Sequence, residues 1–412
     1  MLPLLRGVVS GHLRRSLSTA TAAPRPPWVL MDRDTLLTRS PVAVSSSFRP
    51  PPSASSITVP VWSLDLQPPG DKNNNLYMDT MRSRLLAASA HGFLLLDAHK
   101  SRFKLHPKAD LNLPPDVLLK VTPSDLVCRT FERRVCNPVT GDLFRLPDLH
   151  GTSTDGMGLL TQPEKYAAAQ LAEVDGGRRF MLHRFSSETG DWGELLLPSP
   201  LPPGRRMHLD HEHEVLDCGG RLWWVDLSWG AVCVDPFSAR PELRAVELPE
   251  GCVLPGPQSD TEIRRLVNLK HRRMGVSAGR LCYAEADAFH VRSFTLDDES
   301  GRWTLEHQVP VDSLWPNGKV VPSIAAVDPL NADVLHLNVE EFTVSVDMRQ
   351  ETILVGSASV LRGVSPQSAS SSYLPCVLPS FLGSAPIPGK NDVEKNKTLA
   401  DVLVRSDRHP KT

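Results

Sequence analysis

The 412-residue sequence lacks most of the short patterns by which enzymes are recognised. It has no glycine-rich phosphate loop and no G-x-G-x-x-G, so nucleotide binding has no support in it. It has no H-E-x-x-H and no C-x-x-C pair. Its cysteines are seven, an odd and scattered set: Cys128, Cys136, Cys218, Cys233, Cys252, Cys282 and Cys376. Free, buried thiols in a reducing compartment are expected, rather than a disulfide framework or a zinc site. No apolar run reaches the ~18 residues of a membrane-spanning helix, so no membrane span is expected. Charge of either sign is not in excess: the net charge is −2. A dedicated nucleic-acid binder normally carries a strong basic excess, so no nucleic-acid partner is expected.

What the chain has in abundance is proline, 37 residues, roughly twice the usual ~5% share. Proline breaks helix interiors and central strands, so many short segments joined by turns are expected. Residues 1–27 stand apart. They carry Arg6, Arg14, Arg15 and Arg25 and no acidic residue before Asp32. Leu2, Leu5, Val9, Leu13 and Leu17 recur at helical spacing on one face. An Arg-rich, Ser-rich, acid-poor amphipathic leader has the character of an organelle transit peptide. The mitochondrion is the expected destination, with chloroplast and then cytoplasm as alternatives. A secretory signal does not fit, because Arg6 and Gly7 interrupt the longest apolar run.

From residue 28 to 355 a small unit recurs: a Gly-containing turn, an apolar strand, a polar turn, and a second strand ending near Leu-Pro. Five units are visible, at residues 135–147, 179–198, 219–249, 279–309 and 324–355. Glu188-Thr189-Gly190-Asp191-Trp192 echoes Glu299-Ser300-Gly301-Arg302-Trp303. Glycine there supplies the positive φ of a tight hairpin. Asn137-Pro138, Asp235-Pro236 and Asp328-Pro329 each follow an apolar residue and mark turns at strand ends. Phe294 and Leu296 alternate with Ser293 and Thr295, the two-residue period of a strand. An all-β fold is therefore expected: an irregular β-propeller-like repeat domain of about five to six blades, with short helical segments. A β-sandwich or a pair of barrels is the alternative. A further strand is expected near residues 57–66. Residues 356–412, Ser/Pro-rich and then charged, are expected to form a flexible tail.

Residues 219–236 read GGRLWWVDLSWGAVCVDP and are followed by Phe237-Ser238 and Arg240-Pro241-Glu242. This segment closely resembles the plant family known as domain of unknown function 1618, abundant in grasses. WVLMDRD (28–34), VCNPVTGDLFRLPD, FSSETGDW and VRSFTLDDESGRWTLEH are similar to it as well. The resemblance covers most of residues 28–350. It implies a plant intracellular protein with a propeller-like fold similar to F-box-associated and kelch-type domains. The family carries no established activity, so no catalytic residue comes with it. The doubled His-Glu step at residues 211–214 departs from the single copy expected.

The chemistry-bearing candidates are few. His208, His211 and His213, with Asp210, Glu212 and Glu214, form the densest set of possible metal ligands. In an extended segment His211 and His213 point to one side, and with a carboxylate they could hold zinc or iron. A solvated approach to the following strand is the bland alternative. Gly275-Val276-Ser277-Ala278-Gly279 matches G-x-S-x-G, but the strand-like residues after Gly279 make it a hairpin turn rather than a nucleophile elbow. Leu113-Pro114-Pro115-Asp116 resembles the start of an F-box helix, yet the chain reads as β by Val135, so a short helix is expected there. Asn396-Lys397-Thr398 fits a glycosylation sequon that means nothing without a secretory signal. Trp223 and Trp224 must face opposite sides of their strand, as core packing on two sides. Trp224 and Trp229 are also the candidates for partner binding. The expected function is a non-enzymatic protein-interaction scaffold, monomeric and without a cofactor, with an unidentified protein partner. The alternative is a metal-dependent enzyme or small-ligand binder centred on residues 208–214.

Overall fold

The computed structural model describes residues 25–38, 43–61, 76–105, 124, 126–149, 156–207, 214–254, 270–316, 321–358 and 372–389. The leader up to residue 24, the Leu113–Pro115 segment, His208, His211 and His213, and the sequon lie outside the described residues.

Strands β1 (Trp28–Asp32), β2 (Leu36–Thr38), β3 (Ser45–Ser47) and β4 (Ala54–Pro60) open the chain. Five four-stranded antiparallel blades follow. The first is β5 (Leu76–Ala88), β6 (Leu94–Leu105), β7 (Leu126–Cys136) and β8 (Leu143–Arg145). The second is β9 (Met157–Thr161), β10 (Tyr166–Val174), β11 (Arg179–Ser186) and β12 (Trp192–Pro198). The third is β13 (Val215–Cys218), β14 (Arg221–Asp226), β15 (Gly230–Val234) and β16 (Arg244–Glu247). The fourth is β17 (Arg272–Ser277), β18 (Arg280–Ala286), β19 (His290–Asp297) and β20 (Arg302–Pro310). The fifth is β21 (Ser323–Val327), β22 (Val334–Val339), β23 (Phe342–Asp347) and β24 (Thr352–Ala358). Among the described residues the one α-helix is a single turn, α1 (Val311–Leu314).

A last strand, β25 (Tyr373–Val377), pairs antiparallel with β1, with Trp28 opposite Val377 and Asp32 opposite Tyr373. With β1 to β4 it makes a sixth, five-stranded sheet. The innermost strands touch in the order β5, β9, β13, β17, β21, β25 and back to β5, so this sheet closes the ring. The all-β propeller expectation therefore stands, and the closure corrects the expectation that residues 356–412 form one tail. Tyr373, Leu374 and Cys376 are buried. Pro375 is tolerated because β25 is an edge strand, bonded on one side only. The strand expected at residues 57–66 lies earlier, at β4. Arg25, placed with the leader by its charge, donates from its guanidinium to the carbonyls of Pro379 (3.1 Å) and Ser380 (3.4 Å).

The repeated turns do repeated work. Asn137, Ser186, Asp235, Asp297 and Asp347 each end or directly follow the third strand of a blade. Their side-chain oxygens accept backbone N–H groups two or three residues on: Val139 at 2.9 Å, Glu188 at 3.3 Å, Phe237 at 2.8 Å, Ser300 at 2.8 Å and Gln350 at 2.8 Å. Asp328 makes the same turn in another place, between β21 and β22, accepting from Leu330 at 2.8 Å. The two Gly-Trp echoes are inter-blade staples. Trp192 donates its indole N–H to the Pro147 carbonyl (2.8 Å), and Trp303 donates to that of Glu247 (2.6 Å). Each reaches from the outermost strand of one blade to the end of the preceding blade.

The tryptophan pair behaves as strand alternation requires. Trp224 packs among Leu160, Phe180 and Leu182 of the second blade and donates to the Gly156 carbonyl (2.6 Å). Trp223 packs among Met274, Leu281 and Tyr283 of the fourth blade. Neighbouring side chains of one strand thus enter two different inter-blade cores.

Candidate functional site

The ring has an upper face, where the innermost strands begin, and a lower face, where they end. At the upper end Glu214 immediately precedes β13 and is held between two arginines. Arg33, just after β1, approaches its carboxylate to 2.7 Å, and Arg273 of β17 bonds the same oxygen. The guanidinium of Arg33 also donates to the carbonyls of Leu85 (3.2 Å) and Leu86 (3.0 Å). That of Arg273 donates to Tyr373 (2.6 Å) and Ala325. Both arginines are buried, and burial pulls Arg273 below its usual pKa while Glu214 opposes that pull. The closing sheet and the first, third, fourth and fifth blades are thereby tied at one point. Glu214, one of the possible metal ligands of the 208–214 segment, is committed to this lock. Among the described residues no three His, Cys, Asp or Glu side chains converge to hold a metal.

At the lower end of β13, Asp217 accepts the N–H of Ala90 (2.9 Å), which follows β5, and is bonded by the backbone of Thr161, the last residue of β9. Burial raises its carboxyl to about 6, against the lowering effect of those two bonds. A carboxyl raised in the fold binds more protons folded than unfolded, so stability falls as pH rises from about 4 to about 6 and stays reduced above. A shift of that size corresponds to on the order of 3 kcal/mol. Asp217→Asn keeps an acceptor oxygen without the charge. It is expected to raise stability at pH 7.5 by about 1–2 kcal/mol and to flatten the pH 4–6 slope in denaturant titrations. An unchanged slope refutes this assignment.

Six of the seven thiols are buried. All seven cysteines are free. Burial pushes Cys218, Cys252 and Cys376 up to about 12 and Cys233 to about 11, so they stay neutral at physiological pH. Ser277 of the G-x-S-x-G match ends β17, is fully buried, and is followed by the Ala278-Gly279 turn into β18. Both turn residues have positive φ (47° and 75°), as a two-residue hairpin demands.

Among the described residues, clefts open on the lower face. A cleft of about 1110 Å³ between the closing sheet and the second blade is lined by His91, Lys165, Glu188, Phe381, Pro386 and Ile387 among others. A second, of about 690 Å³, shares His91 and Phe381 and extends to Arg25 and Leu330. Phe381 lies in a 3₁₀ turn after β25, is 44% exposed, and has its ring 6.3 Å from that of His91. His91 is fixed by Thr161, Nδ1 to Oγ1 3.0 Å. Leu330, on the other side, is 53% exposed. At the far end the Lys165 ammonium pairs with Glu188 (3.1 Å) and lies 4.8 Å from the Phe237 ring centroid. A third cleft of about 400 Å³, between third and fourth blades, is lined by Asp297, Asp298 and Glu299 beside Trp223 and Arg280. An apolar ridge flanked by a few fixed polar groups is suited to holding an extended segment.

This groove was missed by sequence reasoning because residues 372–389 read as tail. Leu378-Pro379 after β25 is the missed signal, since the same pair follows strands at Leu146-Pro147 and Leu248-Pro249. The partner-binding candidates Trp224 and Trp229 are corrected. They are 0% and 3% exposed, the second covered by Arg205 at 5.4 Å, because both fill inter-blade space.

Among solved structures, one is from a study of two prolyl endopeptidases (11% identity, TM-score 0.31, 68% of this chain and 38% of that one). Another is the β-propeller domain of Cps50 (Swd1) from Myceliophteria thermophila (8%, 0.31, 55% and 80%). A third is apo AztD from Citrobacter koseri (10%, 0.32, 68% and 73%). This chain thus spans well under half of the first of these. Likeness at that level carries no argument about function. No curated protein matches. Residues 224–340, from the middle of β14 to just past β22, match the family described as protein of unknown function (DUF1618), so this stretch, which reaches into three consecutive blades, is similar to that family.

Proposed function

We propose that this protein is a non-enzymatic interaction scaffold whose lower face holds an extended, apolar segment of a protein partner across Phe381. The observation that carries the reading is the exposed Phe381 standing between two clefts that open on one face. A large aromatic side chain left in solvent beside a preformed groove is the usual anchor of a binding hot spot. The five turn-capping residues at the third-strand ends hold the loops of that face, and Asp217 ties three of its blades, so the groove walls are preorganised. Propellers without catalytic groups commonly serve in this way, which is an analogy at the level of fold.

A photo-crosslinker at Leu330 tests the proposal, with one at the exposed Leu354 of β24 as control. A discrete partner is expected from Leu330 and not from Leu354. Phe381→Asp is expected to weaken that capture at least about tenfold without unfolding the protein. Equal labelling from both positions, or capture indifferent to Phe381→Asp, refutes the proposal.

A further inference from the structure

We infer that the seam between the first and second blades binds a phosphate-type oxyanion at Arg133. The site is separate from the groove at Phe381 and does not depend on it. Arg133 of β7 is 4% exposed, yet its Nε and Nη2 meet no hydrogen-bond acceptor among the described residues. Buried donors of this kind are almost always paired, so two orphaned ones on a single guanidinium point to a ligand that brings oxygens.

Where Arg133 points follows from its neighbours. Val135, two residues on, lies opposite Phe144, whose ring meets those of Tyr166 (6.1 Å) and Phe185 (6.4 Å) in the second blade. Strand alternation puts Arg133 on that same side, one row nearer the upper face of the ring. From the second blade, Ala168 and Phe185 join the same core, and the row above them is Gln170 opposite His183. Both of these are buried. The seam thus changes from apolar to polar at Arg133.

The charge around it is mostly of one sign. Arg84, Asp97 and Arg133 stand side by side across β5, β6 and β7. The next row up holds Arg82, His99 and Phe131, and Arg129 lies in the row above Phe131. Among the described residues Asp97 is the one carboxylate on this side of the three strands, against four arginines. Asp97 and Asp148 favour the charged form of Arg133 against the stronger effect of burial, but neither reaches its Nε or Nη2. Arg82 and Arg129 are exposed, at the mouth of the seam. Arg129 donates from Nε to Ser101 Oγ (2.9 Å) and lies 6.0 Å from the Phe131 ring centroid, with the His99 ring 5.9 Å from that of Phe131. The cations are therefore set in place before a ligand arrives. A phosphate dianion, with three strong acceptor oxygens, matches this surplus better than a carboxylate does.

Calorimetric titration of the full chain with inorganic phosphate tests the site, at about 150 mM NaCl so that diffuse attraction is screened. A dissociation constant at or below about 1 mM is expected, with acetate binding at least about tenfold more weakly. Arg133→Met is expected to weaken phosphate binding at least about tenfold, with amide exchange in the fourth blade unchanged. Arg82→Gln combined with Arg129→Gln, at exposed positions, is expected to weaken it at least about threefold whether or not Arg133→Met folds. Capped phosphoserine, titrated in parallel, separates the two sources of such a group. Binding tighter than that of inorganic phosphate assigns the site to a phosphorylated side chain of a partner, and weaker binding assigns it to free phosphate. Phosphate binding that is absent at about 10 mM, no stronger than that of acetate, or unchanged in both variants overturns the inference and leaves the Arg133 donors to ordered water.

Discussion

Replacing Glu214 by Ala is expected to destabilise the protein by about 3–5 kcal/mol. The reason is what remains behind. Arg33 and Arg273 stay buried at the top of the ring, pointed at each other, with main-chain carbonyls and no carboxylate between them. Two like charges in low dielectric without a counter-ion are costly, and the guanidinium forks cannot reach water without leaving the carbonyls of Leu85, Leu86 and Tyr373. Glu214→Gln, which keeps volume and an acceptor, is expected to recover only part of the loss. Replacing the three together by Met, Leu and Met should be far milder than the single change, because the desolvation cost disappears with the charges. Chemical denaturation of the four proteins measures this. A Glu214→Ala loss below about 1 kcal/mol contradicts the burial of the pair, since exposed ion pairs are worth no more than that.

That lock was not legible in the sequence, and the physical reason is separation. Glu214 meets Arg33 across 181 residues and Arg273 across 59. No local pattern announces such a contact. The sequence instead draws attention to Glu214 through its histidine neighbours, which suggests metal chemistry, whereas the folded carboxylate faces two guanidiniums. What was legible is what is local. The positive-φ glycines of the Gly-Trp turns, the Asx turns after third strands and the alternation of Trp223 with Trp224 are each decided within a few residues. Those features gave the propeller. The part of β25 in the ring's closure was missed, because β25 borrows its partner from the other end of the chain. Val29 faces Cys376 across the sheet, and a five-residue strand holding a proline has little periodicity of its own. The groove at Phe381 was lost with it, being built on the residues that follow that strand.

Trp224→Ala is expected to cost about 3–5 kcal/mol, and its pattern of damage is more telling than its size. The side chain is among the largest that are fully buried, and it fills the space between third and second blades. Removal leaves a cavity lined by Leu160, Phe180 and Val232 and strips the Gly156 carbonyl of its 2.6 Å donor. Gly156 has a φ of +64° immediately before β9, so no side chain is at hand to refill that corner. Trp224→Phe restores much of the volume without the N–H. It is expected to cost about 1–3 kcal/mol for the orphaned carbonyl and the residual gap. Trp223, one residue earlier, packs against the other neighbour, and its donor bond stays within its own hairpin, to Cys218 at 3.1 Å. Hydrogen exchange should therefore separate the two. Trp224→Ala is expected to speed exchange in β9 and β10, and Trp223→Ala in β17 and β18, each sparing the opposite blade. Were adjacent tryptophans to loosen the same strands, the chain would be packing them into one shared core, as a sandwich does, rather than into two inter-blade seams.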